Sequence, residues 1–109
     1  MRRVEKPWGY EIIWAETPHY VGKLLHINVG NRLSKQYHQT KEETVYVLKG
    51  VLYNYNQDDK IQRIMPGESF HVFPHQIHRF GAGEEDVELM EVSTNHLDDV
   101  VRLEDDYDR

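Results

Sequence analysis

The segment from Gly30 to Gly50 reads GNRLSKQYHQTKEETVYVLKG and has turn-forming residues at both ends. Inside it, β-branched and aromatic residues recur without a helical period, and Val45 and Val47 lie two apart, so that both face one side of a strand. The pattern predicts strands at Leu33–His38 and Thr44–Leu48, separated by a short polar loop.

The same alternation of short strand-forming runs and turn residues continues along all 109 residues. Many short strands separated by turns predict an all-β sandwich or barrel. The length predicts one domain, residues 1–109, because a second core would have too few residues to bury. The remaining predicted strands are Trp8–Trp14, Tyr20–Asn28, Val51–Asn56, Ile61–Met65, Ser69–Phe73, Ile77–Phe80 and Val87–Thr94.

Composition excludes several classes of function. The chain has no cysteine, which removes disulfide scaffolds, thiol nucleophiles and zinc–thiolate sites, so a metal must bind to nitrogen and oxygen. The net charge of -6 is concentrated in the last dozen residues and argues against nucleic acid as a partner. No apolar run approaches the roughly 20 residues needed to cross a membrane, and we expect a cytoplasmic protein. The small size favours a homodimer.

Spacing selects a metal site from the seven histidines. Gln36 and His38 lie two apart on a predicted strand, so their side chains share a face. Glu43 shares a face with two apolar valines and is expected to point inward with them. His78 would join from a later strand, and this donor set suits one divalent ion, zinc by preference, or Mn²⁺, Fe²⁺, Co²⁺ or Ni²⁺. The histidines without a partner at ligand spacing are predicted to be incidental: His19, His26, His71 and His96.

The alternation of side chains along a strand also predicts the directions of two basic residues, Lys23 and Arg79. Lys23 shares parity with Leu25 and Ile27, so it is predicted to point into the barrel, where a lysine needs a carboxylate or a ligand such as phosphate. Arg79 follows His78 directly and should face away from the metal, at the mouth or on the surface.

The same residues resemble the cupin superfamily, which implies a single jelly-roll β-barrel. Glutamine stands here where many cupins have their first histidine, and Phe73 and His75 replace the usual proline and glycine of the second motif. The altered turn leaves His75 either as a polar group near the mouth or as an exposed turn residue. The matching positions are Gly30, Gln36, His38, Glu43 and Gly50 in the first motif, and Gly67 and His78 in the second.

A narrower resemblance, to the mannose-6-phosphate isomerase domain of bifunctional isomerase/guanylyltransferases, covers nearly the whole chain. It implies metal-dependent aldose–ketose interconversion of a sugar or sugar phosphate through an enediolate. Lys41 and Arg102 match active-site positions of larger isomerases, and Glu91 fits as an acid/base or as support for the metal ligands. The segments that carry the resemblance are Lys6-Pro7-Trp8-Gly9, Gln36-Tyr37-His38, Glu91-Val92 and the ending Asp98–Arg109.

Other interpretations of these residues stay open. Lys41 lies in a polar loop and could be an ordinary solvated lysine, while Arg102 could simply pair with the carboxylates around it. A metal site alone does not select isomerase chemistry, so a carbohydrate-binding cupin without catalysis and a metal-dependent cupin oxygenase are the alternatives.

Overall fold

The computed structural model describes residues 1–108, which form strands joined by turns. None of these residues belongs to a helix, so nothing in this range is a helix that could cross a membrane. The all-β prediction is confirmed. The strands are β1 Arg2–Lys6, β2 Gly9–Glu16, β3 Val21–Ile27, β4 Lys35–Tyr37, β5 Glu43–Lys49, β6 Leu52–Tyr55, β7 Ile61–Ile64, β8 Ser69–Val72, β9 Phe80–Ala82, β10 Val87–Ser93 and β11 Val101–Glu104.

The strands pair antiparallel in three sheets. A six-stranded sheet has the order β1-β2-β3-β10-β5-β8, a three-stranded sheet the order β7-β6-β9, and β11 pairs with β4 alone. One hydrophobic core joins the two larger sheets, since Ile27, Val47, Leu89, Leu52 and Phe80 belong to a single buried cluster.

The inner face of the six-stranded sheet changes from apolar to charged along its strands. Ile27 and Val87 are fully buried and paired at one end, whereas Lys23 stands opposite Glu91 further along the same two strands. Glu43 stands opposite Ser93 at the charged end. Because side chains alternate faces with a period of two, this end presents its polar groups to the barrel interior.

A second set of polar side chains comes from the other wall. The backbones of Gln36 and His78 exchange two hydrogen bonds, 3.0 and 2.9 Å long, and Arg102 of β11 stands opposite Gln36 on its other side. Residues directly opposite in an antiparallel pair project to the same face. The three side chains therefore lie side by side.

The C-terminal segment is an ordered part of the fold. The predicted strands did not include β11, yet it pairs with β4, and the half-buried Tyr107 packs against the core and donates a 2.8 Å hydrogen bond to Asn31. The first strand, β1, was also missed, and the strand predicted at Ile77–Phe80 begins only at Phe80.

The prediction that Arg79 lies at the mouth or on the surface is wrong. Its side chain is 1% exposed, donates to the Leu33 carbonyl over 2.8 Å, and pairs with Asp106 over 2.9 Å. As strand alternation predicts, the Arg79 side chain points away from His78. The C-terminal segment, however, covers the face to which it points.

Candidate metal centre

His38, Glu43 and His78 form a compact buried group that could hold a metal ion. Glu43 Oε1 lies 3.5 Å from His38 Nε2 and 3.3 Å from His78 Nε2, and each side chain is at most 3% exposed. One ligand atom from each residue lies within 4.8 Å of the other two. Two imidazoles and a carboxylate are a common donor set for divalent transition metals.

The backbone fixes which nitrogen of each imidazole faces this group. His38 Nδ1 lies 2.6 Å from the carbonyl oxygen of Asp99, and His78 Nδ1 lies 3.0 Å from that of Gln76. A carbonyl oxygen only accepts, so each Nδ1 carries the proton and each Nε2 keeps its lone pair. This is the arrangement by which proteins orient metal-binding histidines.

The group fits a metal because one of its donors lacks a protein partner. His38 Nε2 is buried and has no hydrogen-bond partner among residues 1–108, its 3.5 Å approach to Glu43 being too poor for one. Buried polar atoms of this kind are rare without a ligand or water. Gln36 is 8% exposed and lines the same cavity, so its amide oxygen could serve as a fourth donor.

Lys41 is a buried part of the site. It is 5% exposed, and its Nζ lies 3.3 Å from Glu43 Oε2 and 3.2 Å from Glu91 Oε2. Burial lowers the pKa of Lys41, but the charges of Glu91 and Glu43 outweigh it and raise the pKa above its usual value. The interpretation of Lys41 as a solvated loop lysine is therefore wrong.

The pKa values of the two carboxyls beside Lys41 are shifted in opposite directions. Burial raises the pKa of Glu43, but the close approach of the His38 and His78 imidazoles and the charge of Lys41 bring it well below 4.5, so Glu43 is ionised as a ligand must be. Burial and the Glu43 charge raise the pKa of Glu91 to about 7. Although Glu91 Oε2 is attracted by Lys41, it accepts no hydrogen bond within residues 1–108.

Lys23 points inward, as parity predicted, and its partner is a carboxylate. Its Nζ lies 3.4 Å from both oxygens of Glu11, with side chains 9% and 10% exposed, and Lys6 approaches the same carboxylate at 4.0 Å. Glu11 was not singled out from the sequence. The available signal was that Glu11 lies two residues before Ile13 on a predicted strand, so that its side chain faces the same side as this buried residue.

These side chains line a cavity of about 80 Å³. Gln36, Lys41, Glu91 and Lys23 contribute to its wall, and the exposed Arg102 lies at its rim. Arg102 forms no ion pair within 4.0 Å among residues 1–108, so the interpretation that it pairs with the surrounding acids fails there. A water molecule occupies roughly 30 Å³, so the cavity admits the end of a small polar molecule.

With this geometry in view, comparisons with known proteins identify the family. Residues 1–105 match the family model described as mannose-6-phosphate isomerase C-terminal. The chain belongs to this family. A comparison of the sequence with curated proteins found no match.

Solved structures show that this member of the family has the cupin fold. A cupin-like protein from Thermotoga maritima superposes with a TM-score of 0.78 at 16% identity, over 88% of this chain and 76% of that one. The polyketide cyclase RemF from Streptomyces resistomycificus gives 0.79 at 16% identity, over 86% and 70%. A putative sugar phosphate isomerase from Acidithiobacillus ferrooxidans gives 0.64 at 25% identity, over 71% and 51%.

Asp99 contacts the candidate metal centre and was not singled out from the sequence. Its carboxylate accepts hydrogen bonds from the backbone N–H groups of Gln39, Thr40 and Lys41, at 3.0, 2.7 and 2.8 Å. These bonds lower the pKa of Asp99 to about 2. The C-terminal segment therefore holds the loop that carries Lys41 and, through the Asp99 carbonyl, orients His38.

His19, His26, His71 and His96 do not line this cavity. His26 pairs with Glu88, and His71 pairs with Glu42, both on exposed or half-buried surface. His75 is an exposed turn residue with φ of +68°, at the position where cupins usually have glycine. Its positive φ explains that preference, because side chains other than glycine rarely adopt this region.

Proposed function

We propose that this chain interconverts an aldose and a ketose, either free sugars or sugar phosphates, with one divalent metal ion, zinc by preference, held by Gln36, His38, Glu43 and His78. The observation that carries the proposal is the position of Glu91. A buried carboxyl with an oxygen free of hydrogen bonds lines the same cavity as a group suited to a metal. A base next to such a group is what proton transfer between neighbouring carbons requires.

The metal and the charged side chains have separate roles in this proposal. When bound, a divalent ion would act as a Lewis acid toward the C1 and C2 oxygens of the open-chain sugar. Arg102, at the rim, would stabilise the negative charge that develops on these oxygens, since its guanidinium has no ion pair within residues 1–108.

Glu91 would transfer the proton between carbons. It takes the proton from C2 of the aldose, the C–H electron pair becomes the C1–C2 double bond, and the carbonyl pair moves to O1 to give an enediolate. Glu91 then returns the proton to C1, while the hydroxyl proton passes from O2 to O1 and leaves a ketone at C2. Lys41, which lies between Glu43 and Glu91, would donate and recover the proton that moves between the oxygens.

The size and charge of the cavity support a substrate that enters by one end. About 80 Å³ is well below the roughly 300 Å³ of a typical enclosed small-molecule site, so the rest of the chain would extend past the rim. Lys23 would bind a substrate hydroxyl while it remains paired with Glu11. Lys6 and Arg102 would then be the cations nearest to a distal phosphate.

A coupled assay with mannose 6-phosphate and fructose 6-phosphate tests the proposal. Zinc-loaded protein should interconvert them, whereas metal-stripped protein and Glu91→Gln should lose at least about a hundredfold in turnover. Sugar binding without turnover by the loaded wild type would favour a binding module, and substrate-dependent oxygen uptake with Fe²⁺ would favour an oxygenase. Either result would overturn the proposal.

A further inference from the structure

A second polar group lines the cavity at a distance from the candidate metal centre. Glu11 of β2 and Lys23 of β3 both contribute to the cavity wall, and Lys6 lies beside them. In the six-stranded sheet, β2 is next to β3, which is followed by β10 and then by β5. Glu11 is therefore two strands away from Glu91 and three strands away from Glu43.

The Glu11–Lys23 pair uses only part of its hydrogen-bonding capacity within the chain. Nζ of Lys23 lies 3.4 Å from both oxygens of Glu11, which is longer than the roughly 2.7–2.9 Å of a strong charge-assisted bond. Lys6 approaches the same carboxylate only to 4.0 Å. Among residues 1–108 the Lys23 side chain has no other hydrogen-bond acceptor, although an ammonium has three donors and a carboxylate accepts about four bonds.

A buried ion pair of this kind requires further hydrogen bonds. Two charges taken out of water are well stabilised only when their remaining donors and acceptors are also satisfied. The side chains of Lys23 and Glu11 are 9% and 10% exposed, and both line the cavity. The pair therefore favours a polar ligand that donates to a carboxylate and also accepts from an ammonium.

Hydroxyl groups meet this requirement better than a phosphate does. A hydroxyl both donates and accepts, and the two oxygens of a carboxylate can accept from two neighbouring hydroxyls at once. A phosphate dianion offers only acceptors, and the negative charge of Glu11 would repel it. Because the opposite charges of Glu11 and Lys23 cancel, the pair also attracts no anion from a distance. The pair therefore suits a neutral diol on adjacent carbons.

The distance from Glu91 indicates which hydroxyl groups these are. Lys23 stands directly opposite Glu91, so their Cβ atoms are about 5 Å apart. Glu11 lies one further strand away, or about 4.8 Å. A sugar with C1 and C2 beside Glu91 and the metal centre would present its next carbons, C3 and C4, to the pair. On the basis of the function proposed above, we propose that Glu11 and Lys23 bind the C3 and C4 hydroxyl groups of the substrate, a sugar in which both are free.

Calorimetric titration of the zinc-loaded protein with mannitol 6-phosphate tests this subsite. This open-chain polyol has no carbonyl group, so it binds without reacting, and its 4-deoxy analogue lacks one of the two hydroxyls. The wild type should bind the analogue at least about tenfold more weakly, because a hydrogen bond to a charged group is lost. Glu11→Gln should bind the parent polyol at least about tenfold more weakly and should no longer discriminate between the two polyols, with unchanged Zn²⁺ affinity.

Asp59→Asn is the matched control. Asp59 pairs with the buried Lys35 over 3.2 Å, as Glu11 does with Lys23, but neither Asp59 nor Lys35 lines the cavity. This variant should bind both polyols as the wild type does. Circular dichroism shows whether each variant is folded, and the double variant Glu11→Gln/Lys23→Gln, which removes both charges, replaces Glu11→Gln if the single variant does not fold.

The outcomes separate this subsite from the isomerase itself. Loss of discrimination in Glu11→Gln but not in Asp59→Asn supports the subsite. Equal binding of both polyols by the wild type, full discrimination by Glu11→Gln, or binding of neither polyol at millimolar concentration overturns it. Discrimination without sugar interconversion in the coupled assay would refute the isomerase and leave the subsite in place, whereas interconversion without discrimination would refute the subsite alone.

Discussion

His38 Nδ1 lies 2.6 Å from the carbonyl oxygen of Asp99, so the C-terminal segment contacts a candidate metal ligand directly. The carboxylate of the same aspartate binds three consecutive backbone N–H groups of the loop that follows His38. One residue therefore couples the position of the tail, the loop that carries Lys41 and the orientation of an imidazole.

We predict that Asp99→Ala lowers metal affinity about tenfold while the barrel stays folded, because supporting partners of metal-binding histidines have effects of this size. Titration with Zn²⁺ against a competing chelator measures it. Asp98→Ala is the matched control, since Asp98 is exposed and its side chain forms no hydrogen bond within residues 1–108. Equal Zn²⁺ affinities in the two variants would show that Asp99 does not support the metal centre.

Lys23 and Glu11 allow a double-variant test of their buried ion pair. Glu11→Leu should cost about 3 kcal/mol of unfolding free energy, because it leaves the Lys23 charge buried without its partner. Lys23→Met should cost less, since Lys6 still lies 4.0 Å from Glu11. The double variant should recover most of the loss in urea denaturation. Additive losses would show that the two side chains do not act as a pair.

The sequence predicted those parts of the site that depend on strand parity. Gln36 and His38, two apart, and Glu43, in phase with buried valines, do line one cavity, and Lys23 does point inward. These predictions needed only the two-residue alternation of a strand, which is local.

The features that the sequence did not predict depend on contacts between residues that are far apart along the chain. Nothing near Arg79 in sequence shows that Asp106 will cover it, and nothing near Lys41 shows that Glu91 will lie 3.2 Å away. Strand β11 was missed for the same reason, because its acidic sequence is typical of a solvated tail and only its pairing with β4 makes it a strand.

The attachment of the C-terminal segment to the barrel should weaken as the pH becomes acidic. A hydrogen bond from Arg32 lowers the pKa of Asp106 below 3.8, and burial opposes this while Arg79 adds to it. A lowered folded-state pKa gives stability that is complete above the unfolded value and is lost as the pH falls through the folded one. The difference in unfolding free energy between wild type and Asp106→Asn should therefore be constant from pH 5 to 7 and shrink below about 4.

Urea denaturation across this pH range measures the difference. Asp58→Asn is the control, because the Asp58 side chain forms no hydrogen bond or ion pair within residues 1–108. A difference for Asp106→Asn that does not change with pH would contradict an ionised Asp106 as the anchor of the tail.

The Arg102→Lys variant distinguishes a catalytic role of Arg102 from a structural one. Lysine keeps the charge but loses the planar fork, so turnover should fall about a hundredfold, or roughly 3 kcal/mol, while metal and sugar binding stay unchanged. Arg63→Lys is the control, since Arg63 is exposed and lies outside the cavity wall. Full activity, or a loss only in proportion to a lower melting temperature, would show that Arg102 is structural.

The most direct test of the central claim is the metal content of purified wild type, His38→Ala and His78→Ala by elemental mass spectrometry, with His71→Ala and His96→Ala as controls. We expect about one divalent ion per chain in the wild type and both controls, and loss of most of it in His38→Ala and His78→Ala while circular dichroism shows a folded barrel. Unchanged metal content in both site variants would contradict the account.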